Sequence, residues 1–169
     1  MQIYLIRHGI AIDREDPDCP AEPERELTQL GYKRTRRAMK GLRRLGLTPQ
    51  IILTSPYRRC VQTAELAARC LHLSQSAEAF MVSEDLLPES RPNALLDSLA
   101  SFEGKNMLIV GHAPHLDMLL AAAVGSRTPA ITSLGKAAVA CLELGDPPQL
   151  PAQLAWLLKP SMLRLLAKL

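Results

Sequence analysis

The amino-acid sequence predicts an α/β fold, a three-layer αβα sandwich whose central sheet is mostly parallel and has an antiparallel edge. Short apolar runs typical of buried strands alternate along the chain with longer segments of helical periodicity. Late in the chain, apolar runs at residues 136–144 and 152–158 flank a Gly-Asp-Pro-Pro turn at 145–148, and they predict a strand pair at the sheet edge. No internal repeat or long linker interrupts the sequence, so we expect a single domain over residues 1–169.

The chain begins with a predicted strand at residues 3–6, a short run of β-branched and aromatic side chains. Residues 13–23 are rich in Asp, Glu and Pro and predict an exposed connection. A helix should then begin with Thr28 as its N-cap and end near Gly46. Its solvent face, from Lys33 to Arg44, is strongly basic, and we hypothesise that this face recruits an acidic partner.

A second buried strand, at residues 51–53, is followed at once by Ser55 and Pro56, which predict the N-cap and first residue of a helix. The remaining expected elements share short lengths and clear apolar patterns. They are a strand at 78–82, a loop at 84–92, a helix from Leu95 to Phe102, a strand at 107–110, a helix from Pro114 and a short helix from about Ser161.

Composition places the chain among ordinary globular proteins. The hydrophobic fraction is 47%, and no apolar run is long enough to cross a membrane. No secretory signal is evident, and the four cysteines form no metal or disulfide pattern. A net charge of +3 without stacking aromatic residues does not favour nucleic acid. We therefore expect a cytoplasmic protein without membrane or nucleic-acid partners, whose oligomeric state the sequence leaves open.

Polar side chains follow three of the predicted strands, at the point where each strand ends. The three segments are Arg7-His8-Gly9, Ser55-Pro56-Tyr57-Arg58-Arg59 and Gly111-His112-Ala113-Pro114. Because the carboxyl ends of parallel strands meet at one edge of a sheet, these side chains should converge. Two of the segments also lead into helices, whose N-termini favour anions. The sequence therefore predicts a phosphate pocket.

Histidine and arginine in such a pocket can carry out phosphoryl transfer. A neutral imidazole is nucleophilic when a hydrogen bond holds its other nitrogen. Arginine forks can offset the charge on the transferring oxygens, so neither a metal nor another cofactor is required. His112 and His115 could suggest a metal pair, but no third ligand is evident nearby. We expect His115 on a helix surface and Arg58 as a surface charge.

These motifs resemble the histidine phosphatase (phosphoglycerate mutase-like) superfamily, and the similarity spans essentially the whole chain. Two further features resemble its compact phosphohistidine phosphatase, or SixA-like, branch. They are Leu27-Thr28-x-x-Gly31 and Trp156-x-Leu158-x-Pro160. The resemblance implies a phosphoglycerate mutase-like fold.

The resemblance also implies roles for individual residues. His8 would be the nucleophile that becomes phosphorylated, and Arg7 and Arg59 would clamp the phosphoryl oxygens. His112 would bind and stabilise the same group. Many members of the superfamily take a general acid from the region after the third strand, where Asp85 is the candidate; Glu84, or no acid at all, remains an alternative.

The function implied is hydrolysis of phosphohistidine on a protein such as a phosphotransfer domain, through phospho-His8. A phosphoramidate nitrogen can be protonated before the P–N bond breaks, so a weak or missing acid suits this substrate. One alternative is a phosphatase of small phosphomonoesters acting by the same mechanism. Another is a non-catalytic module that binds a phosphoprotein in the same anion pocket.

Overall fold

The computed structural model describes residues 1–99, 102, 104–145 and 149–169. Its strands are β1 (Gln2–Arg7), β2 (Ile51–Thr54), β3 (Phe80–Val82), β4 (Met107–Gly111), β5 (Val139–Glu143) and β6 (Gln153–Leu158). Its helices are α1 (Gln29–Arg44), α2 (Arg58–Leu71), α3 (Pro92–Leu99), α4 (His115–Ala123) and α5 (Pro160–Leu166). Short 3-10 turns lie at Glu22–Glu24 and Glu84–Leu86.

The strands form one mixed sheet in the order β3-β2-β4-β1-β5-β6. β1, β2, β3 and β4 are parallel, whereas β5 pairs antiparallel with β1 and β6 pairs antiparallel with β5. The predicted mostly parallel sheet with an antiparallel edge is therefore confirmed. In the parallel part, β1, β2 and β4 lie side by side, so the segments that follow them share one edge of the sheet.

Alternating side chains of β1 pack into two cores, one on each face of the sheet. Ile3 and Leu5 face the core formed with α3 and α4, while Tyr4 and Ile6 face the core formed with α1, α2 and α5. Each fully buried aliphatic side chain contributes about 1.5–3 kcal/mol relative to exposure. Burial on both faces of the sheet explains why the central strands are almost entirely apolar. The three-layer architecture is as predicted.

Helix α1 begins where the sequence predicts. The Thr28 side chain accepts a hydrogen bond from the Gly31 backbone N–H at 2.9 Å. The prediction for α2 is wrong by two residues, because its N-cap is Tyr57 and neither Ser55 nor Pro56 lies in the helix. The Ser55 hydroxyl instead lies 2.9 Å from the Nε2 of His112, so it forms a tertiary hydrogen bond rather than a helix cap.

The segment before β5 is not part of the strand, contrary to the prediction of a strand from residue 136. Ala137 adopts a positive φ of 63°, and its backbone N–H donates to the carbonyl oxygens of Arg7 and His8. Lys136 is thereby held at the end of β1. The predicted turn at residues 145–148 and the helix end near Phe102 lie partly outside the described residues. Among the described residues, no helix is long and apolar enough to cross a membrane.

Candidate active site

His8 lies directly after β1, and its hydrogen bonds define its tautomer. Its Nδ1 is 2.7 Å from the Gly9 carbonyl oxygen, which can only accept a hydrogen bond, so Nδ1 carries the proton. Nε2 accordingly has the free lone pair, and it accepts a hydrogen bond from the Nε of Arg59 at 3.2 Å. The imidazole is thus oriented as a nucleophile whose reactive nitrogen faces a guanidinium.

The surroundings of His8 keep its ring neutral. Its pKa is lowered to about 3, mainly by burial and also by the positive charges of Arg59, Arg7 and Lys136, while the hydrogen bond to Gly9 acts in the opposite direction. A cationic ring would have no lone pair to offer an electrophile. At neutral pH the folded protein therefore presents His8 in its nucleophilic form.

His112, directly after β4, is oriented by two different partners. The Nη2 of Arg59 donates to its Nδ1 at 3.2 Å, so Nε2 carries the proton and donates to the Ser55 hydroxyl at 2.9 Å. Burial lowers the pKa of His112 to about 2, with His8 and Arg59 contributing. The rings of His8 and His112 meet edge to face, with centroids 5.3 Å apart.

Arg59, near the start of α2, connects both histidines to a carboxylate. Only 3% of its surface is exposed. Besides its bonds to His8 and His112, its Nη1 donates to the backbone carbonyl of Glu22 at 2.8 Å and its Nη2 to the Glu22 carboxylate at 2.8 Å. The guanidinium carbon also lies 4.9 Å from the centre of the Tyr57 ring. This network holds the guanidinium in one position.

Arg7 lies at the end of β1, on the other side of His8 from Gly9 in the sequence. Its Nη1 donates to the Leu134 carbonyl at 2.7 Å, and the backbone N–H of Leu134 donates to Asp117 at 2.7 Å. Its buried Nε has no hydrogen-bond partner among the described residues. Arg7, His8, Arg59 and His112 all line one cavity of about 370 Å³. The structure therefore brings these four predicted residues together.

Glu22 is a site residue that sequence reasoning missed. Its carboxylate forms ion pairs with Arg14 at 3.0 Å, Arg25 at 2.7 Å and Arg59 at 2.8 Å. Hydrogen bonding to Arg14 is the main cause that lowers the pKa of Glu22 to about 2. Nothing in the local sequence marks Glu22 among the other carboxylates of its segment, because the contact that brings it to the site is with Arg59, 37 residues away in sequence.

Asp85 is not among the described residues that line the cavity, although Pro88 from the same segment is. Its backbone N–H donates to the Ser83 hydroxyl at 3.2 Å, which caps the short 3-10 turn. The carboxylates that do line the cavity are Asp13 and Glu15, in the connection between β1 and α1. The acid role of Asp85 remains a prediction.

The prediction of a surface position for His115 is wrong, because only 1% of its surface is exposed. Neither ring nitrogen has a hydrogen-bond partner among the described residues, and burial lowers its pKa. Arg58 is exposed, as predicted. His72 is exposed at the end of α2 and accepts a hydrogen bond from Arg43 at 2.8 Å. The described residues contain no group of three or more His, Cys, Asp or Glu side chains placed to hold a metal.

The chain is similar to known proteins over most of its length. Residues 3–80 match the histidine phosphatase superfamily (branch 1). An uncharacterized protein of Picosynechococcus sp. (strain PCC 7002) is 34% identical over 148 residues, which cover 86% of each chain. The phosphohistidine phosphatase SixA of Escherichia coli K12 is 29% identical over 136 residues, or 76% of this chain and 78% of that protein.

The chain belongs to the histidine phosphatase superfamily. A solved structure of the protein histidine phosphatase SixA in complex with tungstate superposes with a TM-score of 0.83 and 25% identity. The match covers 96% of this chain and 99% of that one. This likeness extends over the whole fold and supports the SixA-like branch within the superfamily. The cavity around His8 is therefore the candidate active site of a hydrolase of the histidine phosphatase type.

Proposed function

We propose that this histidine phosphatase hydrolyses phosphohistidine on a protein, such as a phosphotransfer domain, without a metal and through a phosphorylated His8. The observation that carries the proposal is the tautomer of His8. Its Nδ1 proton is bound to the Gly9 carbonyl, and its Nε2 lone pair faces Arg59 in the cavity. A module that only binds phosphate could use arginines and backbone amides, and it would not need an oriented, neutral imidazole.

In the first step, the lone pair of His8 Nε2 attacks phosphorus and forms a P–N bond. The substrate's own P–N bond breaks, and its electron pair leaves with the substrate imidazole. Arg7 and Arg59 stabilise the charge on the three equatorial oxygens, as fixed donors do in phosphoryl transfer generally. As the P–N bond to His8 forms, the Gly9 carbonyl stabilises the positive charge that develops on the ring.

In the second step, water attacks the phosphorus of phospho-His8. The bond to Nε2 breaks, phosphate leaves, and the lone pair returns to His8. His112 is positioned for both steps, because the Ser55 hydroxyl and Arg59 hold its ring beside that of His8. An anionic phosphoryl group next to His112 would raise its pKa and let it donate a hydrogen bond to an oxygen.

The ease with which the leaving group departs favours a phosphoramidate substrate such as phosphohistidine. An imidazole bound to phosphorus can carry a proton on its other nitrogen, so it leaves as a neutral ring without a strong acid from the enzyme. Asp85, the acid candidate of the sequence, lies in a short 3-10 turn capped by Ser83 and is not among the described residues that line the cavity. The similarity to proteins described as phosphohistidine phosphatases supports the same substrate class.

A second candidate substrate is a small phosphomonoester. This alternative is favoured by Asp13 and Glu15, whose side chains line the cavity and could protonate an alkoxide leaving group. The two substrate classes share the His8 chemistry and differ only in their need for that proton. Neutral variants at both acidic positions should therefore slow ester hydrolysis more than phosphohistidine hydrolysis.

The test measures phosphate release from a phosphohistidine-bearing protein and from p-nitrophenyl phosphate, with EDTA present. We expect His8→Ala to reduce release by more than about 10³-fold, as removal of a nucleophile does in other enzymes. The exposed-histidine variant His72→Ala should match the wild type. Acid-labile phosphate should be trapped on wild-type protein and not on His8→Ala.

Each other outcome has a definite meaning. Full activity of His8→Ala would refute the nucleophile assignment, and complete loss of activity with EDTA would indicate a metalloenzyme. Turnover of the ester without turnover of the phosphoprotein would select the second candidate. Binding of the phosphoprotein with no turnover of either substrate would indicate a non-catalytic module.

A further inference from the structure

A second cavity of about 300 Å³ adjoins the candidate active site and shares Lys136 with it. Two more cations line this cavity, Arg34 from α1 and Arg164 from α5. The other described residues that line it are Ile10, Thr35, Ala137 and Pro160, so the described lining carries three positive charges and no carboxylate. We refer to this cavity as the basic subsite.

The cations of the basic subsite have no counter-charge within ion-pair distance among the described residues. None of the three forms an ion pair or a side-chain hydrogen bond within the described part of the chain, whereas Arg14, Arg25 and Arg59 each form an ion pair with Glu22. Grouping like charges is unfavourable unless an anion offsets it. The site is therefore suited to an anionic group supplied from outside.

The basic subsite is rigidly connected to the nucleophile. The backbone N–H of Ala137 donates to the carbonyl oxygens of Arg7 and His8, at 3.0 and 3.2 Å, which fixes the segment that carries Lys136. On the α1 side, a Cβ added at Gly31 would overlap the carbonyl oxygen of Ile10, so helix and loop are in close backbone contact. A group bound in the subsite would thus be held at a set distance from the reacting phosphorus.

We propose that the basic subsite binds a second anionic group of the substrate, a carboxylate side chain located near the phosphohistidine of the phosphoprotein. This inference rests on the proposed function and deepens it, since it specifies an acidic neighbourhood around the phosphorylated residue. Two anchors, one for the phosphoryl group and one for a carboxylate, orient the substrate for in-line attack by His8.

The structure also divides the basic surface of α1 into two parts. Arg34 faces the basic subsite, while Lys33, Arg36, Arg37 and Lys40 line a different cavity beside Tyr32. Only the first part adjoins the active-site cavity through Lys136. The sequence-based hypothesis that the whole basic face recruits an acidic partner is thereby restricted to the part that contains Arg34. Arg37, in the other part, is a matched control for Arg34.

The test compares two phosphohistidine peptides that differ only by Glu or Gln near the phosphorylated residue. At low salt, wild-type kcat/KM should be about threefold to tenfold higher for the Glu peptide, and added salt should reduce this preference. Arg34→Gln combined with Arg164→Gln should bring the ratio close to one. Arg37→Gln should keep the wild-type ratio.

Equal turnover of both peptides by the wild type, at several Glu positions, would overturn the inference. A ratio above one that persists in the double variant would overturn it as well. If neither peptide is hydrolysed while phenyl phosphate is, the proposed function fails, and the subsite is tested separately with phenyl phosphate and a carboxylated derivative. A carboxylate preference that Arg34→Gln abolishes would support the subsite, and one that the variant retains would refute it.

Discussion

The Nε of Arg59 donates a hydrogen bond to the Nε2 of His8 at 3.2 Å, on the nitrogen opposite the one bound to the Gly9 carbonyl. One guanidinium thereby contacts the nucleophilic lone pair, and it also donates to the Nδ1 of His112. A phosphoryl group that reaches Nε2 must take the place of Arg59 there, and its oxygens would then lie among the donors of the same arginine.

The position of Arg59 predicts that lysine cannot replace it. A lysine ammonium lacks the planar fork that contacts His8, His112 and Glu22 together. We expect Arg59→Lys to lower kcat for p-nitrophenyl phosphate by about 10²–10³-fold, the usual cost of losing a donor to developing charge. The control is Arg58→Lys, at the neighbouring exposed position, which should retain wild-type kcat. Equal losses in the two variants would contradict the central role of Arg59.

The depressed pKa values of the histidines predict how stability changes with pH. His8 has a folded pKa of about 3 and His112 of about 2, against an ordinary value of 6.5. Below about pH 6.5 the unfolded chain therefore binds more protons than the folded protein does. The free energy of unfolding should decrease as the pH is lowered from about 6.5 towards the folded pKa of each histidine. Each group can contribute up to about 1.4 kcal/mol per pH unit.

Urea unfolding between about pH 5 and pH 7 measures this slope, above the range in which Glu22 titrates. His8→Asn should give a smaller slope, because one group with a depressed pKa is absent. An unchanged slope in His8→Asn would mean that His8 is not held neutral by its surroundings.

The three ion pairs of Glu22 predict that its charge stabilises the arginine cluster. Glu22→Gln would leave the buried guanidinium of Arg59 without its counter-charge, while the backbone contact remains. Since Glu22 is partly exposed, we expect a loss of about 1–2 kcal/mol, less than for a fully buried pair. Inorganic phosphate should raise the Tm of this variant more than that of the wild type, because it restores negative charge.

Glu24→Gln is the matched control, since Glu24 is exposed in the same 3-10 turn and forms no ion pair among the described residues. Thermal unfolding with and without phosphate measures both effects. If Glu22→Gln and Glu24→Gln unfold at the same temperature, the carboxylate of Glu22 has no stabilising role.

The ring of His115 is buried and has no hydrogen-bond partner within the described ranges, so we expect an unusual response to its substitution. Loss of a buried polar group that makes no hydrogen bond removes a desolvation cost of about 1–3 kcal/mol. His115→Leu should therefore keep or increase the free energy of unfolding at pH 7, whereas Leu116→Ala, at a neighbouring buried position, should lose about 2–5 kcal/mol. Chemical denaturation compares the two. A large loss in His115→Leu would show that its imidazole makes a stabilising contact.

The sequence by itself determined the layered fold and four residues of the site. Strand and helix periodicity is a local property, so the alternation of elements can be predicted without knowing their contacts. In a parallel sheet, the residue after each strand must lie at one shared edge. This rule predicts that the segments 7–9, 55–59 and 111–114 share a common pocket. The resemblance to the histidine phosphatase superfamily then singles out Arg7, His8, Arg59 and His112 within them.

Only the tertiary structure decided the contacts between segments that are far apart in sequence. Ser55 has the local pattern of a helix cap, but its hydroxyl bonds to His112, and α2 begins three residues later. In the sequence, Glu22 cannot be told from its acidic neighbours, and only the folded structure shows its ion pair with Arg59. The proton position on His8 depends on a carbonyl at 2.7 Å. Such features follow from three-dimensional geometry, because hydrogen bonds and ion pairs depend on distances that local sequence patterns do not encode.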